Sequence, residues 1–84
     1  MNLIIETKRI LNTTTENVFA SIVDNTIQFG DKVSLNDIRY DTELSEQKIV
    51  RCLSELEARG IIDISYGKIE QFYILKNLFV KEMY

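Results

Sequence analysis

The sequence predicts an α+β fold, with helices through the first two thirds of the chain and a β-hairpin after them. Three observations carry this. Residues 14–28 and 46–59 repeat apolar side chains at intervals of three and four, the period of a one-sided helix. Ser/Thr start signals precede both stretches and also a shorter segment between them. Finally, Ile61-Ile62-Asp63-Ile64-Ser65-Tyr66 alternates and is rich in β-branched residues; Gly67-Lys68 and a second apolar run follow it.

The composition limits the classes of function. Eighty-four residues, 45% of them hydrophobic and 27% charged, suit one soluble globular domain over 1–84. Apolar runs reach no more than four residues, against roughly 20 for a membrane span. The opening Met1-Asn2-Leu3-Ile4-Ile5-Glu6 lacks the basic and long apolar parts of a secretory signal. With one Cys and no His, a structural zinc site and an internal disulfide are not expected, and a reducing, cytoplasmic setting is. The most versatile acid/base side chain is missing, there is no Gly-rich phosphate loop, and no nucleophile–base pair is recognisable. No enzyme activity and no cofactor are expected. Ten bases face thirteen acids, a balance unlike that of most nucleic-acid binders, so any nucleic-acid contact must rest on a local patch.

Taken in order, residues 1–12 fit either a strand or a helical turn. Thr13 and Glu16 have capping-box spacing and open a helix over about 14–28. Its inward stripe is Val18, Phe19, Ile22, Val23 and Ile27, and Gly30 suits a left-handed cap after it. Val33 reads as part of a short pairing strand. Ser34 and Asp37 start a short helix with Leu35 and Ile38 inward, broken at Asp41-Thr42-Glu43. Ser45 is the next N-cap, with Leu44 as a hydrophobic staple. The helix over 46–59 turns Ile49, Cys52, Leu53 and Leu56 inward and stops at Gly60. The hairpin strands are 61–66 and 69–75. The tail 76–84 is too apolar to be solvated.

On the helix over 46–59, at roughly 100° per residue, Gln47, Arg51, Ser54 and Ala58 fall opposite Ile49. This stripe holds no acid. Lys48 lies beside it, and Glu55 and Glu57 sit on its flanks. The plain reading is a solvated face. The other is a surface that a major groove accepts, with Gln suited to adenine, Arg to guanine, and Ser45 with the first-turn N–H groups suited to a phosphate. Glu46 opposes that use.

The order helix, short strand, helix, helix, strand, turn, strand, with Leu44-Ser45, Val50-Arg51, Leu53, Leu56-Glu57 and Gly60-Ile61, resembles the winged helix-turn-helix superfamily. The segment is similar to the LS…VxRxLxxLExxGxI stretch of its regulators and replication initiators. The resemblance spans about 13–75, leaving 1–12 and 76–84 as additional segments. It implies three helices and a C-terminal β-hairpin wing, with double-stranded DNA as partner. It implies DNA contacts from Ser45, Gln47, Lys48, Arg51 and Ser54, a wing contact from Lys68, and a weaker one from Arg39. Lys68 could equally sit in a plain turn, with Gly67 present for a positive φ. Such a protein would regulate transcription or replication in a prokaryote, a plasmid or a virus. The alternative function is a protein–protein module, an adaptor or a viral inhibitor of a host protein, which the acidic balance favours.

Other features have plainer readings. Cys52 on the inward stripe is expected to be a packed small hydrophobe. Tyr40, Tyr66, Tyr73 and Tyr84 could stack on bases, but no bases cluster around them; Tyr40 and Tyr73 suit a core rim or an interface. The apolar ends, Leu3 and Ile4 with Leu78, Phe79 and Met83, suggest a homodimer; the competing arrangement packs the two ends on each other within one chain.

Overall fold

The computed structural model describes residues 2–83. The elements are α1 (Leu3–Ile10), α2 (Thr13–Phe29), β1 (Val33–Ser34), α3 (Leu35–Thr42), α4 (Glu46–Ala58), β2 (Ile62–Tyr66), β3 (Gln71–Leu75) and α5 (Asn77–Met83). Tyr84 lies outside the described residues. No described helix is long and apolar enough to cross a membrane.

Short polar side chains set the helix starts. Ser34 and Asp37 form the expected capping box at α3, each side chain accepting from the other residue's backbone N–H. The Ser45 hydroxyl accepts from the Lys48 N–H at 3.3 Å and starts α4. The start of α2 differs from expectation. Its cap is Asn12, whose Oδ1 accepts from the Thr15 N–H at 2.9 Å, and Thr13 is already helical. Asn ranks above Thr as an N-cap, so the Asn12 amide side chain wins over the Thr13–Glu16 spacing.

The helix ends are set by backbone conformation. Gly60 (φ 74°) closes α4: its N–H reaches the Glu57 carbonyl, and the Ile61 N–H reaches that of Leu56. Gly30 also has positive φ, but with φ 101° and ψ −168° it occupies a glycine-only extended region rather than the expected left-handed cap. The break at 41–43 is later than expected. Asp41 and Thr42 are helical, and Glu43 (φ 58°) forms a left-handed cap.

β3 is the middle strand of a three-stranded antiparallel sheet, order β1-β3-β2. Val33 pairs with Tyr73, and Ile62 with Leu75 through to Tyr66 with Gln71. The hairpin turn is therefore longer than Gly67-Lys68. It occupies residues 67–70, and Ile69, expected in the returning strand, is 99% exposed at its tip. Gly67 does not have the expected positive φ. Its constraint is close approach, because a Cβ there would lie 2.6 Å from the Glu70 carbonyl oxygen.

The core lies between α2, α3, α4 and the inner face of the sheet, with Val18, Phe19, Ile22, Ile38, Ile49 and Leu56 withdrawn from solvent. Ile27, expected inward, is exposed; the buried positions beside it on α2 are Asn25 and Thr26. Leu44 is half-buried against the core. Cys52 is buried, and the Thr15 hydroxyl donates to its sulfur at 3.5 Å.

Both ends are helical. α1 packs on α5, and the Glu82 carboxylate accepts from the Leu3 and Ile4 N–H groups at 2.8 and 3.3 Å. An acid thus caps a helix N-terminus from a distant part of the chain. Phe79 is 5% exposed and meets Phe19 edge-on, with ring centroids 5.7 Å apart. As a surface-interface residue Phe79 is therefore corrected: the ring fills this chain's own core. Leu3, Ile4 and Met83 pack half-buried against that core, and Leu78 remains exposed. The two ends meet within one chain.

Candidate functional site

α4 presents the expected face. Ile49, Cys52, Leu53 and Leu56 are buried, while Gln47, Lys48, Arg51, Ser54 and Ala58 are exposed. The Ser45 hydroxyl is occupied as an acceptor by its own helix and keeps its proton to donate. Glu55, half-buried on the flank, pairs with Arg59 at 3.4 Å.

Lys48 and Arg51 do not stand alone. With Asn12 to Thr15 they line a cleft of about 470 Å³ between α4 and the start of α2, and Glu55 lines it too. Two cations therefore face the first turn of a 17-residue helix, where free N–H groups favour negative charge. The sequence reading missed this neighbour. The only signal was the Thr13-Thr14-Thr15 run at a helix start. Gln47 and Ser54 do not line this cleft; they lie along the outer ridge of α4.

The other flank of α4 is different in kind. Between α4 and the hairpin lies a groove of about 510 Å³ lined by Glu46, Val50, Ile69, Glu70 and Tyr73, and by Leu35 of α3. It carries two carboxylates and no base. The phenol of Tyr73, buried and donating to the Gln71 side chain at 3.3 Å, has its pKa raised, first by burial and then by Tyr66 and Glu46. Lys68 is exposed at the hairpin tip between Gly67 and Ile69, apart from Lys48 and Arg51. Arg39 is exposed on α3 and lies outside the Lys48–Arg51 cleft. The structure thus joins Lys48 to Arg51 and leaves Lys68 and Arg39 outside that cleft. Among the described residues no group of three or more His, Cys, Asp or Glu is placed to hold a metal ion.

No protein-family model matches the chain, and no curated protein matches it in sequence. Among solved structures, the chain is similar to BpsR of Bordetella bronchiseptica, described for the regulation of its DNA binding by 6-hydroxynicotinic acid. The TM-score is 0.69 at 20% identity, over 93% of this chain and 55% of that one. The chain therefore spans about half the length of that neighbour. The helices α2, α3 and α4, the strand β1 between the first two, and the β2–β3 hairpin together make the fold a winged helix-turn-helix.

Proposed function

We propose that the chain is a double-stranded-DNA-binding regulator of transcription, with α4 as the reading helix. The observation that carries this is the exposed ridge Gln47, Arg51, Ser54 and Ala58, free of acids, with Lys48 and Arg51 facing the N-terminal turn of α2. In that arrangement Gln47 and Arg51 reach base edges. Lys48, the Ser45 hydroxyl and the first turn of α2 hold phosphates on one side of the groove. The likeness to BpsR, a protein with regulated DNA binding, supports the same reading. Lys68 adds a backbone contact from the wing, and Arg39 a weaker one. Control of replication would use the same contact. A homodimer would bring two such helices to two half-sites. With Phe79 inside the core, its interface must use Leu78 and the outer edges of Leu3, Ile4 and Met83. The proposal includes no catalysis and no cofactor.

The test is fluorescence anisotropy of a labelled duplex at about 50 and 200 mM salt, with wild type and a Lys48→Ala/Arg51→Ala double variant. Wild type should weaken steeply with salt, and the double variant should bind less and show a salt slope shallower by about 2. No binding at the lower salt by folded protein would overturn the reading.

The groove between α4 and the hairpin favours a second reading. Glu46 and Glu70 flank it, and Val50 and Ile69 leave it partly apolar. That chemistry suits a protein surface better than a phosphate chain. A winged-helix interaction module would bind there and leave the anisotropy of DNA unchanged.

A further inference from the structure

The hollow between α2 and α3 lies away from the Lys48–Arg51 cleft. Asp24 is ten residues beyond Thr14 along α2, about 15 Å at the helical rise. The hollow measures about 590 Å³ and is lined by Asp24, Gln28 and Phe29 of α2 and by Asp37, Tyr40 and Asp41 of α3. A second hollow of about 330 Å³ shares Asp24 and Asp41 and extends it toward Asn17. No Lys or Arg lines either one.

Two features go beyond an acidic cluster. First, Phe29 is 80% exposed and Tyr40 87% exposed, and both line the trough. Aromatic rings of that size left in water at one site are costly unless something covers them. Second, Asp41 is held in place. Its Oδ2 accepts from the Ser21 hydroxyl and the Asn25 amide, each at 2.7 Å, and both donors are buried. No described side chain donates to its Oδ1. Asp37 is occupied by the α3 capping box, whereas Asp24 is exposed on α2 and makes no ion pair among the described residues. The trough thus offers two carboxylates beside two π-faces. That combination takes a guanidinium or ammonium group, which pairs with carboxylates and stacks on aromatic rings.

We propose that the α2–α3 trough docks a basic segment of a partner protein, seating an arginine side chain between Asp24 and Asp41 with its plane against Phe29 and Tyr40. This does not depend on what α4 binds, and the two faces are far enough apart to be used together.

The test is a titration of the ¹⁵N-labelled chain with an acetylated Gly-Ser-Arg-Gly-Arg-Ser-Gly peptide, read by two-dimensional NMR, alongside the same peptide with citrulline for arginine. Saturable shifts should centre on Asp24, Gln28, Phe29, Tyr40 and Asp41, and the citrulline peptide should give none. Asp24→Asn and Tyr40→Ala, both at exposed positions, should each weaken binding about threefold, and together about tenfold, on the scale of exposed cation–π and charged contacts. Their dispersed spectra would show that folding is intact. Three results would overturn the proposal: no shifts at about 50 mM salt, shifts spread equally over Glu46, Glu57 and Glu70, or equal shifts from spermine, which would make the occupant a small polyamine.

Discussion

Replacing Phe79 with Ala tests whether α5 is part of the folded core. The side chain is 5% exposed and its ring meets Phe19 at an interplanar angle of 73°. Truncating a ring so placed costs about 3–5 kcal/mol, of which the edge-on pair supplies about 0.5–1.5. A chain of 84 residues has a total stability of roughly 4–13 kcal/mol by the usual per-residue range. The substitution therefore removes roughly a quarter or more of what holds the fold. Urea unfolding followed by circular dichroism should show the midpoint falling by about a molar or more, given slopes of about 1–3 kcal/mol/M. Leu78→Ala is the internal control: at 67% exposed it should stay within about 0.5 kcal/mol of wild type. A double-mutant cycle with Phe19→Leu isolates the pair. If Phe79→Ala costs under about 1 kcal/mol and behaves like Leu78→Ala, α5 is not docked, and the argument that the ends meet within one chain fails.

Three further outcomes follow from local geometry. Ser34→Ala removes one half of the α3 capping box and should lower stability by about 0.5–2 kcal/mol in chemical denaturation, with Asn36→Ala on the exposed face as a near-neutral comparison. Gly67→Ala should destabilise by roughly 1–3 kcal/mol, because the new Cβ would stand 2.6 Å from a backbone oxygen; a heat-denaturation midpoint equal to wild type would refute this. Tyr73 gives a pH signature. Its folded pKa lies above 10.0, so the folded state holds the phenolic proton more tightly than the unfolded chain does. The associated stability is complete below about pH 10 and declines as pH rises through the folded value. Melting midpoints of Tyr73→Phe should fall less between pH 9 and 11 than those of wild type.

Much of the fold was legible because it rests on local chemistry. The capping box at Ser34, the N-cap at Ser45, the inward stripe of α4 and the alternation of β2 all depend on residues within a turn or two of each other. The start of α2 was misplaced by one residue because Asn12 and Thr13 are both competent caps, and the Glu at the right spacing pointed to the weaker one. α1 and α5 could not be read, since helices of 8 and 7 residues are too short to be stable alone and form by packing on each other. Ile27 lies outside rather than inside for a similar reason. Asn25 is buried against Asp41, 16 residues away, a partner that helical periodicity cannot reveal. At the candidate site, the α4 residues were legible from their spacing. Their neighbour at Asn12–Thr15 was not, because it comes from the far end of another helix.

The bond from the Leu3 N–H to Glu82 spans 79 positions of sequence. Ordering a loop that long from an otherwise open chain costs about 4 kcal/mol in closure entropy, more than one exposed hydrogen bond returns. The contact therefore forms only after the central helices and the sheet have brought the ends together. On the return path it is the first to open. Amide protons of α1 should exchange with solvent through local fraying, at rates set by that opening, while those of α2 and α4 wait for the whole molecule to unfold.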